Sequence, residues 1–196
     1  IPLRRASSME RGSLEETTAG AKCPSGVYSV WAVPPVDVER RLKSLMDSLR
    51  SEFGGPQFDP HITVVGAIEL AEADAVQKLR AGCDGFKAFD VRVDKVDCGT
   101  FFYQCVYLLL HPTPQIMEAS VHFSRQFGYT SSTRYMPHLS LLYGVLSNDG
   151  KKKAQEKAKI IDERINDLRF QVSRLQLWRI DTENWEKIHE CSLVSN

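Results

Sequence analysis

Two short segments of this chain are versions of one another, and their similarity restricts the fold more than any other sequence feature. Residues 59–65 read DPHITVV and residues 136–142 read MPHLSLL. Each has proline, histidine, an apolar residue, a hydroxyl residue and an apolar pair, in that order. A β-strand places residues i and i+2 on the same face. Each segment therefore predicts a strand that directs an imidazole and a hydroxyl group to one place.

The histidines of the two segments are 77 residues apart, and the same offset relates other predicted elements. Adding this offset to the strand predicted at 27–33 gives residues within a second apolar strand, predicted at 101–110. It also carries the helix predicted at 69–81 onto the start of a lysine-rich helix predicted at 148–167. The chain therefore reads as two strand–helix–strand–helix–strand halves, which bury their apolar faces by packing symmetrically.

The repeat predicts that equivalent strands of the two halves meet at a pseudo-twofold axis. We expect a cleft there that contains one motif strand from each half. Residues 1–26 are polar and lack hydrophobic periodicity, so we expect a disordered or loosely attached tail. Residues 27–196 should form one bilobal domain, with halves at about 27–98 and 99–196.

Helix boundaries are indicated by capping residues. Asp37 is expected to cap the first helix, which Gly54 and its neighbouring glycine end. Thr113 is expected to cap the third helix, which ends at Gly128. Two strands, at about 170–180 and 185–193, are expected to close the chain.

A histidine followed two residues later by serine or threonine is a weak signal by itself, because four of the five histidines have it. His111 is followed by a proline, which removes a strand donor. His122 lies within a predicted helix, where residues two apart do not face each other. His189 is followed by a cysteine. His61 and His138 alone combine the motif with a strand context and shared flanking residues.

The composition favours a small ligand. Lys+Arg and Asp+Glu number 25 each, so the formal net charge is zero, whereas a protein that follows a long nucleic acid usually carries a basic excess. The zero net charge therefore favours a small or terminal ligand over a long nucleic acid. No apolar run approaches the length of a membrane span.

The five cysteines have no C-x-x-C spacing, so neither a zinc site nor a disulfide framework is indicated. The sequence also shows no carboxylate cluster with metal-ligand spacing. We therefore expect a cytoplasmic protein that uses no metal and no cofactor.

The four motif side chains suit acid–base chemistry on a phosphate. Histidine has an unperturbed pKa of about 6.5 and can be neutral or protonated near neutral pH. One imidazole can take a proton from an attacking water while the other protonates the departing alkoxide. Hydroxyl groups at Thr63 and Ser140 can hydrogen-bond the phosphoryl oxygens. The sequence does not decide which of His61 and His138 is the base.

Paired His-x-Thr and His-x-Ser strands in two related halves resemble the two-histidine phosphoesterase superfamily. Within it, YSVWA at 28–32, GTFF at 99–102 and YMPHLSLLY at 135–143 resemble the plant cyclic phosphodiesterases. The resemblance implies hydrolysis of ADP-ribose 1″,2″-cyclic phosphate to the 1″-phosphate, after tRNA splicing, and opening of nucleoside 2′,3′-cyclic phosphates to 2′-phosphates. It also implies an α+β, bilobal fold, in which two pseudo-twofold-related lobes each have an antiparallel sheet with helices outside and the active site lies in the central groove. The family's motif residues fall on His61, Thr63, His138 and Ser140, of which the two histidines would be catalytic. We expect a monomer that binds a small cyclic phosphate nucleotide, without long nucleic acid or membrane partners.

Two aromatic residues are further candidates for substrate contact. Tyr143 resembles a family position near the substrate, although strict alternation from His138 places it on the opposite face, so a bulge or a strand end must intervene. Trp31 could stack on a base beside the cleft, or it could be a core aromatic residue.

Three other functions remain open from the sequence. An RNA end-processing or RNA-ligase-like member of the same fold would act on oligonucleotides. A catalytically silent nucleotide-binding module would keep the pocket without turnover. A metal site could use His61 and His138.

Overall fold

The computed structural model describes residues 24–196, and within them the chain forms eight β-strands and four α-helices. The strands are β1 (Ser25–Val33), β2 (Ile62–Ala71), β3 (Phe89–Cys98), β4 (Val106–Leu110), β5 (His138–Leu142), β6 (Arg169–Val172), β7 (Arg174–Arg179) and β8 (Glu186–Ser192). The helices are α1 (Val36–Phe53), α2 (Glu72–Cys83), α3 (Pro114–Phe127) and α4 (Asn148–Ile161).

The tail predicted at 1–26 lies mostly outside the described residues. Its last part does not: Ser25 and Gly26 belong to β1 and pair with Ala71 and Leu70 of β2. The ordered domain thus begins two residues earlier than predicted, because the antiparallel partner strand extends far enough to supply hydrogen bonds to them.

The strands form one antiparallel sheet with a symmetric order. From edge to edge the order is β6-β3-β4-β5-β2-β1-β7-β8. The centre of symmetry falls between β5 and β2, the two strands of the repeated motif. On each side of it follow the equivalent strands β4 and β1, then β3 and β7, then β6 and β8. The predicted α+β class and antiparallel pairing are confirmed, and the two strand groups join at their inner edges into a single sheet.

The strand pairing crosses the boundary between the sequence halves. β3, which precedes residue 99, pairs with β4 and β6 from the later part of the chain. In the same way β7 pairs with β1. Each spatial group therefore contains strands from both sequence halves, and neither half can complete its own strand pairing.

The helices follow the repeat closely. Moving α1 by 77 residues gives 113–130, and α3 occupies Pro114–Phe127. Moving α2 by the same offset gives 149–160, and α4 occupies Asn148–Ile161. α1 packs against α4 and β5, whereas α2 packs against α3, and α3 packs against β2. The repeat inferred from the histidine spacing is therefore present in the helices as well as in the strands.

Three of the four predicted helix ends are found. The Thr113 hydroxyl accepts a hydrogen bond from the Ile116 amide, and Gly128 ends α3 in the left-handed region. Gly54 ends α1 with φ 76°. The prediction for Asp37 was wrong: α1 begins after Pro35 without a side-chain cap, and Asp37 lies in its first turn. A carboxylate there still interacts favourably with the helix dipole.

The strand predicted at 101–110 is shorter than expected. β4 begins only at Val106, and Phe102–Gln104 form a 3-10 turn. The side chains before β4 are largely exposed, with Phe101 at 69% and Tyr103 at 56%. The apolar run predicts a buried strand, whereas its first residues lie at the surface of the molecule.

The boundaries of other elements also differ from the prediction. The stretch 170–180 contains two strands, β6 and β7, which pair at opposite sides of the sheet with β3 and β1. The lysine-rich helix ends at Ile161 and is followed by a 3-10 turn at Ile165–Asp167. The second helix begins at Glu72, because β2 extends through Ala71. The periodicity of a strand indicates which of its residues are buried, but it does not show which other strand it pairs with.

The turn between α1 and β2 is fixed against the end of β5. Gly55 has φ 98°, and a Cβ atom there would lie 2.3 Å from the carbonyl oxygen of Tyr143. Gly54 also has a positive φ, but no atom lies within 4 Å of its added Cβ. The close approach at Gly55 therefore joins the segment that leads to His61 to the segment that follows His138.

We expect Gly54→Ala to lower the free energy of unfolding by about 1 kcal/mol, the cost of a Cβ atom in the left-handed region. Gly55→Ala should cost about 2 kcal/mol more, because the Tyr143 backbone must also move. Urea unfolding of both variants measures the difference. Equal losses in the two variants would contradict the close contact.

Candidate functional site

The two motif strands meet at the centre of the sheet. Ile62 of β2 pairs with Leu139 of β5 in an antiparallel register, and both side chains are fully buried. Continuing this register places His61 opposite Ser140 and Thr63 opposite His138. All four then point to the face away from Ile62 and Leu139.

The two imidazoles are diagonal neighbours in this register, with Cα atoms about 7–8 Å apart. Their charges also interact, because a positive charge on His138 contributes to lowering the pKa of His61. The structure therefore brings together the two motifs that the sequence separates by 77 residues.

His61 is held tightly at the start of β2. Its Nδ1 lies 2.7 Å from the carbonyl oxygen of Asp59, and its ring stacks on Trp31 with centroids 3.6 Å apart. Removal from water lowers its pKa from 6.5 to about 4; the Asp59 carbonyl opposes the shift, and the charge of His138 adds to it. His61 is therefore neutral near neutral pH.

His138 has the same arrangement on β5. Its Nδ1 lies 2.9 Å from the carbonyl oxygen of Met136, two residues earlier, and burial lowers its pKa. Its Nε2 lies 3.4 Å from the side-chain nitrogen of Gln104. In both histidines the carbonyl contact holds the proton on Nδ1, so Nε2 carries the lone pair of the neutral ring.

The two hydroxyl groups differ in their surroundings. Ser140 is buried, and its Oγ donates to the carbonyl oxygen of Tyr103 at 2.7 Å. Thr63 is partly buried, and its backbone carbonyl accepts a 3.0 Å hydrogen bond from the Tyr135 hydroxyl. The Ser140 contact ties the exposed 3-10 turn to β5, a connection that the sequence did not indicate.

A cavity of about 490 Å³ lies beside Trp31, and we call it the tryptophan cavity. Its aromatic lining consists of Trp31, Phe58, Phe102, Tyr103, Tyr143, Trp178 and Trp185. Tyr143 follows the last residue of β5, so a strand end explains its position, and it stacks on Phe58 with centroids 3.6 Å apart.

Trp31 is both a core residue and a cavity residue. It is only 3% exposed, and it stacks on Trp178 as well as on His61. Its indole nitrogen donates to the Ser29 hydroxyl, which donates to the carbonyl of Val65. Trp31 is thus fixed in place as part of the cavity wall.

A second cavity, of about 400 Å³, is lined by His138 and Thr63; we call it the Arg134 cavity. Its lining also includes Gln104, Ser120, Ser124, Tyr129, Arg134 and Tyr135. His61 is 6% exposed and lines neither cavity.

Several cavity residues were not identified from the sequence. Phe58 lies in the segment between α1 and β2, Trp178 lies in β7, and Trp185 lies in the loop before β8. Gln104 lies in the stretch that was predicted to be a strand. Only the aromatic residue types offered a signal, and nothing in their spacing connects them with the motifs.

The other three histidines lie elsewhere. The Nε2 of His122 is 2.8 Å from the carbonyl oxygen of Gly82. His189 accepts a hydrogen bond from Arg80, and His111 lies 3.7 Å from Asp94. Each of these histidines has a partner that lies outside the two motif strands.

Within residues 24–196, no group of three or more His, Cys, Asp or Glu is arranged to hold a metal ion. Among the helices in this part of the chain, none is long and apolar enough to span a bilayer. The thiols of Cys83, Cys98, Cys105 and Cys191 are free.

The fold and the paired motifs agree with comparisons to known proteins. The chain belongs to the 2′-5′ RNA ligase superfamily, whose family model matches residues 34–184. A cyclic phosphodiesterase of Arabidopsis thaliana is 48% identical over 172 residues, covering 85% of this chain and 95% of that protein. The resemblance inferred from the motifs is thereby confirmed, and the chain is an enzyme of this superfamily.

Solved structures share the fold at low sequence identity. E. coli LigT complexed with 3′-AMP has a TM-score of 0.59 at 10% identity, over 87% of this chain and 99% of that one. A crystal structure of a phosphoesterase has a TM-score of 0.57 at 13% identity, over 87% and 99% of the two chains. At these identities the likeness shows the fold alone.

The burial of His61 predicts a pH-dependent stability. The unfolded state takes up a proton near pH 6.5, whereas the folded state does so only near pH 4. The contribution of His61 to stability is therefore complete above pH 6.5 and is lost as the pH falls to 4. It amounts to about 3 kcal/mol.

Urea unfolding between pH 7 and pH 4 measures this effect when the chain is compared with His61→Gln, which cannot titrate there. The variant should lose about 3 kcal/mol less over this range than the unchanged chain does. Parallel curves for the two proteins would show that His61 is not buried in its neutral form.

Proposed function

We propose that the chain hydrolyses ribose cyclic phosphates: ADP-ribose 1″,2″-cyclic phosphate to ADP-ribose 1″-phosphate, and nucleoside 2′,3′-cyclic phosphates to 2′-phosphates. The supporting observation is the β2–β5 register, which directs two imidazoles with equivalent Nδ1 contacts to one face of the sheet. The Arabidopsis relative, named as a cyclic phosphodiesterase, supports the reaction class.

In this proposal His61 is the general base. Its pKa of about 4 keeps Nε2 unprotonated at neutral pH, so Nε2 can take a proton from the water that attacks phosphorus. A bond then forms between the water oxygen and phosphorus, and the bond from phosphorus to one ribose oxygen breaks. The product is a phosphate monoester with a free hydroxyl on the neighbouring ribose carbon.

His138 is the general acid, and its Nε2 protonates the departing ribose oxygen. Burial alone opposes its protonated form, but a bound phosphate anion favours it, because an opposite charge nearby raises a histidine pKa. The Gln104 amide can present either its nitrogen or its oxygen to Nε2. The contact therefore suits both protonation states through which His138 must pass.

The hydroxyl groups would bind the phosphoryl oxygens. Thr63 borders the Arg134 cavity next to His138. The Ser140 hydroxyl, which donates to the Tyr103 carbonyl in this structure, would turn to the phosphate when substrate binds. Hydrogen bonds that form as charge develops on the phosphate stabilise the transition state.

The tryptophan cavity would hold the flat part of the substrate. Trp31 and Tyr143 line a cavity whose volume falls in the usual range for ligand pockets, roughly 300–1,000 Å³. Stacking between a base and an aromatic side chain contributes about 1–3 kcal/mol. We further propose that the enzyme acts as a monomer in the cytoplasm, without a metal or cofactor, on substrates released after tRNA splicing.

The direct test is incubation with ADP-ribose 1″,2″-cyclic phosphate in excess chelator, with the position of the product phosphate determined by phosphorus NMR. We expect the 1″-phosphate, and the 2′-phosphate from a nucleoside 2′,3′-cyclic phosphate. A parallel reaction with an oligonucleotide ending in a 2′,3′-cyclic phosphate tests the RNA end-processing alternative. Faster turnover of the oligonucleotide, or loss of activity in chelator, would contradict the proposal.

Replacing either imidazole should nearly abolish turnover. We expect His61→Ala and His138→Ala to lower kcat by roughly two to four orders of magnitude. Thr63→Ala and Ser140→Ala should cost roughly one to three orders. The kcat/KM of the unchanged enzyme should be bell-shaped with its acidic limb near pH 4, the pKa of His61. Near-normal turnover in either histidine variant would rule out the assignment, and His122→Ala is a matched control.

A further inference from the structure

We propose that the Arg134 cavity binds a second phosphate group, carried by the same substrate beyond its reacting cyclic phosphate, and that Arg134 forms the ion pair with it. This inference rests on the proposed function and deepens it, because it names the residue by which the site would prefer ribose cyclic phosphates that carry a further phosphate on the sugar. Arg134 would then be a specificity-determining residue rather than a catalytic one.

The two cavities have opposite electrostatic character. The residues that line the tryptophan cavity include Asp59 and Glu183, and no lysine or arginine is found among the described ones. The Arg134 cavity contains an arginine, and no carboxylate belongs to its described lining. A phosphate group is therefore repelled from the first cavity and attracted to the second.

Arg134 is available for a ligand. It is exposed, and none of the ion pairs formed within residues 24–196 includes it. Other arginines of the domain have acidic partners; Arg41, for example, donates to both carboxylate oxygens of Asp162. A guanidinium group binds phosphate oxygens through two parallel N–H donors.

The cavity also offers hydroxyl groups to such a ligand. Ser120 of α3 is 7% exposed and lines the cavity. Ser124, one helical turn later, lines the same cavity. A serine hydroxyl has one O–H donor, which can hydrogen-bond a phosphate oxygen next to the Arg134 guanidinium group.

The placement agrees with the shape of a nucleotide. The reacting phosphate would lie at the imidazoles, with Trp31 on one side and the Arg134 cavity on the other. A ribose 2′,3′-cyclic phosphate carries its base and its 5′ carbon at separate positions. With the base on the aromatic side, a phosphate on the 5′ carbon extends towards Arg134. The pyrophosphate of an ADP-ribose derivative presents the same charge.

The test compares two substrates that differ by one phosphate: adenosine 2′,3′-cyclic phosphate and the same compound with a 5′-phosphate. We expect the unchanged enzyme to prefer the 5′-phosphorylated substrate. Arg134→Gln should lower kcat/KM for that substrate about tenfold, mainly through KM. The same variant should change kcat/KM for the unphosphorylated substrate less than about twofold, since the lost ion pair has no partner there.

Two variants serve as controls. Arg125→Gln removes an exposed arginine of α3 that does not line the cavity, and it should leave both substrates unaffected. Arg134→Lys should recover part of the preference, because a lysine keeps the charge but not the paired donors. Raising the salt concentration should weaken the preference of the unchanged enzyme, since an exposed ion pair is screened.

A binding measurement separates this inference from the proposed function. Calorimetric titration with adenosine 2′-phosphate and with adenosine 2′,5′-bisphosphate requires no turnover, and the two ligands differ only in the second phosphate. The difference in their affinities should shrink about tenfold in Arg134→Gln. Equal affinities in the unchanged protein, or an unaltered difference in the variant, would overturn the inference whatever the activity. Absence of hydrolysis together with a preserved preference for the bisphosphate would overturn the proposed function alone.

Discussion

The pairing of β2 with β5 is the contact on which the rest of the structure depends. It joins the two strand groups into one sheet through Ile62 and Leu139, and it sets which side chains face the cleft. A shift of this register by one residue would direct the imidazoles into the core and the buried Ile62 and Leu139 towards the cleft. Burial of these two apolar side chains therefore fixes the geometry of the site.

The crossing of strands between the sequence halves strengthens this junction. β3 lies with the β5 group and β7 lies with the β2 group, so each sequence half contributes a strand to the lobe of the other. Separating the lobes would break the β2–β5 contact and also stretch the chain connections on both sides. A site built between the lobes is thus supported by most of the sheet, although only a short stretch of backbone pairing joins the central strands.

Removal from water gives the two imidazoles their chemical character. The carbonyl oxygens of Asp59 and Met136 orient both rings in the same way, while burial lowers both pKa values. The larger effect falls on His61, which is 6% exposed and stacks on Trp31. Two motifs of similar sequence thereby hold histidines of unequal basicity, which is what the proposed division between acid and base requires.

The sequence by itself determined the two motif strands, the repeat that relates them and the pairing of helices at an offset of 77 residues, because local periodicity and spacing encode these features. It did not determine which strands are neighbours. Only the tertiary structure decided that residues 170–180 divide between two strand groups, and that Phe102 and Tyr103 line the tryptophan cavity. The aromatic wall and the Arg134 cavity were likewise decided by tertiary structure, since their residues come from separate loops and strands. Distant segments meet through packing and hydrogen bonding, and neither leaves a local pattern in the chain.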